Sequence, residues 1–195
     1  MRAVDGWTVE AASLWEARQF VRLYHYARSS ANTGTYVHAL RRVWQSYGFA
    51  IWIPPTRGAA ESVAGEAWRG VLCLSRLVVA PDVPANGASF LLGRSMAMVD
   101  RSRWPVLLTY ADTRLGHTGA IYRATNWTCL GPVAAGDVWV HSETGEQAGR
   151  KRGPRTWLAS EMVAAGYIRQ PSDPKIKFIH RTSQVAALDL HGGAK

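Results

Sequence analysis

Apolar positions along this 195-residue chain switch between a helical and a strand period, and the switches outline the elements. Trp15–Tyr26 sets Ala, Phe, Val and Leu on one helical face, and Ser29–Gly34 is a polar turn. Tyr36–Val43 fits neither period cleanly. Tyr47–Ile53 reads as a strand stopped by Pro54-Pro55, Thr56–Gly65 as a Gly/Ala-rich loop, and Trp68–Val79 as a strand halted by Pro81. A helix is expected over Ser89–Arg101, a strand over Val106–Ala111 and a helix over Ala120–Trp127. Thr128–Gly131 and Asp137–His141 look like strands, Gly145–Gly153 like a basic loop, and Thr156–Ala165 like a helix stopped by Gly166. Lys175–His180 is a last strand. Residues 1–185 then form one domain, and 186–195 a flexible tail. Strands alternating with helices imply an α/β (α+β) fold with a central mixed twisted sheet flanked by helices.

Composition narrows the classes. An apolar fraction of 47% argues against disorder. No run approaches the roughly 18 apolar residues of a membrane span, and the first residues lack an apolar signal core. Two distant cysteines, Cys73 and Cys129, offer no zinc-type spacing and read as buried reduced thiols in a cytoplasmic protein. Lys and Arg total 23 against 14 Asp and Glu, a net charge of +9. Eight basic residues but only two acidic ones lie between Gly149 and Arg181. Such a surface suits a polyanion or a solvated face equally well.

The chemistry concentrates in Leu107–Gly131. A buried strand delivers Asp112 to its C-terminal edge, where ligands collect in α/β sheets. The turn Gly116-His117-Thr118-Gly119 leads into a short helix bearing Tyr122 and Asn126, followed by Trp127. Upstream, Asn86-Gly87-Ala88-Ser89 opens a helix with small residues that allow close approach to a phosphate. An ordinary Asn/Ser cap would leave the same pattern. Asp112 reads as a proton acceptor or a turn cap, and Tyr122 as a proton donor or a core aromatic. Arg76, inside a strand, requires a partner such as a phosphate or carboxylate.

The order strand, small-residue turn, helix, strand, Tyr-bearing helix resembles the GNAT acyltransferase superfamily. The pieces are Leu72–Val79, Asn86–Ser89, Ser89–Val99, Val106–Ala111 and Ala120–Trp127. The chain departs from that pattern in having a single Gly in the turn, and Asn126 in place of the Gly before the aromatic residue. The resemblance implies an acetyl-CoA or related acyl-CoA cofactor held by Leu77, Val79, Asn86, Gly87, Ala88, Ser89 and Asn126.

A narrower resemblance covers Tyr24 to Gly131. Tyr110-Ala111-Asp112, Gly116-His117, Gly119, Ile121-Tyr122, Ala124 and Asn126-Trp127 combine with Tyr24-His25-Tyr26-Ala27-Arg28 upstream. Pro174-Lys175-Ile176-Lys177-Phe178 follows near the end. Together these are similar to the Mom family of bacteriophage DNA-modification proteins. That similarity implies modification of the exocyclic amine of adenine to a carbamoylmethyl (acetamido) adduct, which shields phage DNA from restriction. It also implies an active set of His25, Tyr26, Arg76, Ser89, Asp112 and Tyr122. Simple attack on acetyl-CoA gives an N-acetyl product instead, so the adduct needs another donor, an activation step or a redox metal. His25, Asp112 and His117 would make a two-His, one-carboxylate iron site if they converge.

Double-stranded DNA is then the expected partner, with the target nucleotide extruded because its amine is paired and stacked in the duplex. Arg28, Arg123, Arg150, Lys151, Arg152 and Arg155 are candidates to hold the strand, and Trp127 to line a pocket for the base. A dimer is possible, and no membrane is expected. A conventional N-acetyltransferase for a protein or small amine remains open. So does a non-catalytic DNA-binding accessory protein on the same scaffold.

Overall fold

The computed structural model of the chain describes residues 6–182 except Ala27, Ser29, Arg114, Leu115, Ala135 and Gly153, with Lys151 and Arg152 described by backbone alone. The expected tail, 186–195, and His191 lie outside these residues. In chain order the first elements are β1 (Trp7–Ala11), α1 (Leu14–Tyr24), β2 (Tyr36–Arg42), β3 (Gln45–Ile53) and α2 (Arg57–Ala64). A 3-10 turn over Gly65–Gly70 leads to β4 (Val71–Val79), α3 (Gly87–Met98), β5 (Val106–Asp112), α4 (Ala120–Ala124) and β6 (Thr128–Val133). Then come β7 (Val138–His141), β8 (Gln147–Ala148), β9 (Lys151–Arg152), β10 (Arg155–Thr156), α5 (Ala159–Ala164), β11 (Tyr167–Gln170) and β12 (Lys175–Arg181).

The described residues group into two compact units, 6–110 with 119–130 and 177–182, and 111–118 with 131–176. The first is built on a seven-stranded sheet in the order β1-β2-β3-β4-β5-β12-β6. Strands β1 to β4 run antiparallel to their neighbours, and β4 pairs with β5 in parallel. The mixed sheet with helices is the architecture the sequence implies. Phe49 and Ile51 of β3 pack with Ala17 and Val21 of α1, and Ile53 joins the same cluster. Ala60 and Val63 of α2 pack on Val71, Val106, Leu108 and Ile179. Trp52, whose side chain alternates with those of Ile51 and Ile53, faces α3 instead.

A buried polar knot anchors α3. Trp52 Nε1 donates to Ser95 Oγ at 2.7 Å, and Ser95 Oγ lies 2.7 Å from His38 Nδ1. Indole N–H only donates, so Ser95 Oγ accepts from Trp52, and the direction of its bond with His38 Nδ1 follows the imidazole tautomer. Burial holds the His38 pKa below its usual value. The folded state therefore binds this proton less readily than the unfolded one, and stability falls as pH drops below about 6.5. Urea midpoints between neutral and mildly acid pH should show a steeper acid decline for the wild type than for His38→Asn. The difference reaches at most about 1.4 kcal/mol per pH unit.

In the second unit, β7 lies between β11 and β8, and β9 pairs with β10. Met162 of α5 is fully buried, and Arg169 Nε meets Asp137 Oδ2 at 2.6 Å.

Several elements differ from the sequence pattern. Thr56–Gly65 is no loop: α2 forms because Ala60 and Val63 share a buried face and Arg57 pairs with Glu61 one turn on, at 2.7 Å. The strand expected from Trp68 starts only at Val71, after the 3-10 turn. The α1 helix stops at Tyr24, so Tyr26 stands in the following turn. The Thr156–Ala165 helix begins at Ala159, because Arg155–Thr156 pairs with β9. β1 and β11 are not among the expected elements, although Trp7, Val9 and Ala11 alternate with Thr8 and Glu10, and they are held by their partners β2 and β7. Gln147–Ala148 and Lys151–Arg152 turn part of the basic loop into strand. The two cysteines are free, but Cys129 is exposed rather than buried. It sits on β6, one of the two edge strands of the sheet. Trp15 and Trp44 are also exposed, large apolar side chains outside the core.

Candidate active site

The Ser75-Arg76 pair breaks the apolar run of β4, and the structure places a β-bulge there. Ile51 pairs with Arg76 but Trp52 pairs with Leu74, so Ser75 is the extra residue. Without the bulge, strict alternation would put Arg76 on the α3 face with Leu74. With it, Arg76 shares the face of Ile51, the one covered by α1. Its Nη1 donates to the Ser75 carbonyl at 2.6 Å, which binds the guanidinium to the bulge itself.

That face also receives the end of α1. His25 caps the helix, its N–H donating to Val21 O at 3.0 Å, and its ring stacks on Tyr26 at 4.2 Å. Burial lowers the Arg76 pKa, while interaction with Tyr26 and with Cys73 raises it. Cys73, one strand turn away, is pushed up to about 12 by burial, with Arg76 pulling the other way. It is a protonated thiol, hence a poor nucleophile.

Beyond the bulge the sheet opens. β4 and β5 pair only from Val71–Cys73 against Val106–Leu108. From Leu74 onward the described strands share no further ladder, so backbone groups there need other partners. Thr109 Oγ1 supplies one, donating to the Leu74 carbonyl at 3.2 Å. The Tyr122 hydroxyl lies 3.4 Å from the same Thr109 Oγ1, at the parting of the two strands. Burial raises the Tyr122 pKa, and Tyr26 and Cys73 add to this, with the Thr109 contact opposing. The phenol is therefore protonated at neutral pH.

Tyr122 is held on every side. Its ring packs against Phe178 at 5.1 Å and Trp127 at 5.7 Å. Trp127 stacks on Trp52 and donates Nε1 to Met96 Sδ at 3.2 Å. The expected helix over Ala120–Trp127 stops at Ala124, in a Schellman motif. Trp127 N–H donates to Tyr122 O at 3.0 Å and Asn126 N–H to Arg123 O at 3.2 Å, with Asn126 at φ +63°. Asn126 thus takes the left-handed cap position, which Asn tolerates better than most residues. Trp127, only 5% exposed, is a core residue and not the wall of an open pocket.

The first turn of α3 has no side-chain cap. Ser89 Oγ donates to Asn86 O at 2.9 Å, and Gly87 N–H donates to Pro84 O at 2.7 Å. Gly87 is glycine for packing, since a Cβ there would lie 2.1 Å from Val83 Cγ1. Leu77 pairs with Ala50 and Val79 with Gly48, which puts both on the α3 face.

In the second unit, Asp112 ends β5 and is only 5% exposed, while His117 is exposed beside Gly116 at φ +70°. Among the described residues no three His, Cys, Asp or Glu are placed to hold a metal ion. The iron reading of His25, Asp112 and His117 therefore has no support. Arg28 is exposed, and Arg123 lies over the Phe178 ring at 5.3 Å. Arg150 Nε donates to Trp157 O at 2.7 Å, and Arg155 is ion-paired with Glu161. Neither is a fully available cation for a strand of DNA. The Lys151 and Arg152 side chains lie outside the described residues. Thr109, the Ser75 bulge and Phe178 are site residues that sequence reading missed. The only hint of the bulge was a Ser-Arg pair interrupting an apolar strand.

Solved acetyltransferases share this fold. An agmatine N-acetyltransferase aligns at a TM-score of 0.55 and 11% identity, over 91% of this chain and all of its own. A spermidine N-acetyltransferase of Vibrio cholerae gives 0.54 and 7%, over 94% and 98%. An acetyltransferase of Bacillus subtilis in complex with CoA gives 0.51 and 4%, over 90% and 97%. In sequence, the chain is 29% identical over 133 residues to the methylcarbamoylase Mom of Escherichia phage Mu. That alignment takes in 63% of this chain and 53% of the relative, so the chain spans about half the length of the protein it matches. The family model of the Mom proteins matches residues 6–181, nearly the whole described chain, and the protein belongs to the Mom protein family.

Proposed function

We propose that this chain is a DNA-modifying transferase that converts adenine to N6-carbamoylmethyl (acetamido) adenine and so shields phage DNA from restriction endonucleases. The observation that carries the reading is the Tyr122 hydroxyl at the parting of β4 and β5, with Tyr26 interacting electrostatically both with it and with Arg76. Membership of the Mom family supports DNA as the object, and the acetyltransferase fold supports transfer from a CoA-type donor.

The residues fit such a donor. An open strand edge suits an extended arm bearing amides, because it presents backbone N–H and C=O groups lacking a ladder partner. Leu77 and Val79 would flank that arm, and the uncapped first turn of α3, with Ala88 and Ser89, would face its phosphates. Because the acetamido group is joined through its methylene carbon and carries an amide nitrogen, a donor for this adduct would have to supply that nitrogen and bear its leaving group on the methylene carbon. Tyr122 holds a proton for that leaving group, and its high pKa matches a basic one. Arg76 fixes a phosphate or carboxylate oxygen bidentately, with Tyr26 beside it. Asp112 accepts a proton from the adenine amine, whose lone pair is delocalised into the ring and needs such help. The reaction takes place in the bacterial cytoplasm, where phage DNA is replicated.

Mass spectrometry of nucleosides from cells expressing the chain tests this. A deoxyadenosine carrying an acetamido group, absent with Asp112→Ala, is the expected result. A plain acetyl adduct on DNA would replace methylcarbamoylation with simple acyl transfer. Unmodified DNA beside abundant protein would overturn the DNA reading. It would favour an amine acetyltransferase, the activity named for two of the structural neighbours.

A further inference from the structure

The end of α1 exposes more apolar surface than solvent alone explains. Leu23 is 75% exposed, Tyr24 48% and Tyr26 50%, all within four residues. Scattered exposed apolar residues are ordinary, but such a cluster marks a contact surface. Tyr24 is anchored to the core: it packs on Phe20 at 4.5 Å, and Phe20 on buried Phe49 at 5.1 Å. Arg28 N–H donates to His25 O at 2.9 Å and closes the turn that follows.

Charge identifies the occupant. From Ala17 to Ala60 the chain carries six arginines and no Asp or Glu. Arg41 is neutralised by Glu10 and Glu16, and Arg57 by Glu61. Arg22 and Arg28 are exposed and have no ion-pair partner among the described residues. They bracket the exposed Leu23 and Tyr24 in sequence. Two free guanidinium groups around apolar and aromatic side chains match a duplex, whose phosphates flank a stack of bases. Tyr26, in the same patch, is electrostatically coupled to Arg76 and to Tyr122.

We infer that the last turn of α1 is the element that opens duplex DNA for this enzyme, with Leu23 as the wedge. This rests on the proposed DNA reading. Leu23 fills the gap left when the target nucleotide leaves the stack, and Tyr24 offers a fixed face to the neighbouring base. Arg22 and Arg28 hold the flanking phosphates.

Two measurements test it. Binding of a mixed-sequence duplex is followed against salt for the wild type, for Arg22→Ala/Arg28→Ala, and for Arg94→Ala/Arg103→Ala as a control pair elsewhere on the unit. The slope of log affinity against log salt should shrink by about 2 in the first variant, roughly 0.9 per phosphate contact, and stay unchanged in the control. An unchanged slope in Arg22→Ala/Arg28→Ala, or no duplex binding by the wild type, overturns the surface. Leu23→Ala should lower modification of duplex DNA at least about tenfold but leave single-stranded DNA within about twofold, because no stack has to be opened there. An equal fall on both, or on neither, overturns the wedge. Duplex binding with the expected slope but no modified adenine would instead sink the proposed reaction and leave the surface standing.

Discussion

Tyr122→Phe should lower the rate of nucleoside modification by about 10²- to 10⁴-fold, the usual worth of a positioned proton donor, and leave the protein folded. The phenyl ring keeps its packing against Phe178 at 5.1 Å and Trp127 at 5.7 Å. What is lost is one hydroxyl in a long contact of 3.4 Å with Thr109. A bond of that kind is worth about 1 kcal/mol or less, so urea midpoints should hardly move. Because burial raises this pKa, the wild type should keep its protonated phenol to pH values where an exposed tyrosine has ionised. The folded form also binds that proton more tightly, so its stabilising share is complete below about pH 10 and is lost as pH rises through the higher folded value. A variant with near wild-type turnover at saturating donor would remove Tyr122 from the chemistry.

Gly119→Ala should cost about 2–5 kcal/mol of stability through two separate terms. Gly119 sits at φ +77°, in the left-handed region, as the N-cap of α4. A side chain there costs about 1–2 kcal/mol. A Cβ would also stand 2.2 Å from Phe178 Cζ, so the ring must move. Overpacking of this kind adds roughly 1–3 kcal/mol. Phe178 in turn packs on Tyr122, so the variant should lose activity even under conditions where it remains folded. Gly116→Ala separates the terms. Gly116 has φ +70°, but a Cβ there meets nothing within 4 Å, so only the backbone cost applies. Equal urea midpoints for the two variants would show that the Phe178 contact carries no strain.

Much of this was legible in the residues because it is local. The apolar runs of β3, β4 and β5 announce buried strands, and Pro54-Pro55 ends β3 where a backbone donor is lost. Gly119, Tyr122 and Asn126 are each set by a turn or a cap a few residues long, and the long signature around Tyr122 led to the family. The limits of legibility are also local in cause. Ala- and Gly-rich Thr56–Gly65 shows weak periodicity, yet α2 forms once Ala60 and Val63 have a sheet to cover. Trp127 and Cys129 sit two residues apart, and sequence gave no sign that one is core and the other exposed.

The sequence by itself determined the succession of β3, β4, α3, β5 and α4, the mixed sheet and the identity of Tyr122, Asp112 and Arg76 as residues needing an explanation. Each of these follows from dihedral preference, capping and the period of apolar side chains, which act over a few residues. Only the tertiary structure decided which face Arg76 occupies, because the bulge at Ser75 is defined by register against β3. It also decided that β4 and β5 part after Cys73 and Leu108, and that the Tyr122 hydroxyl stands at that opening. It showed, too, that Arg155 and Arg169 are already committed to carboxylates, while Arg22 and Arg28 meet none among the described residues. Register, burial and ion pairing are properties of strands and side chains distant in sequence, so they exist only once the chain has folded.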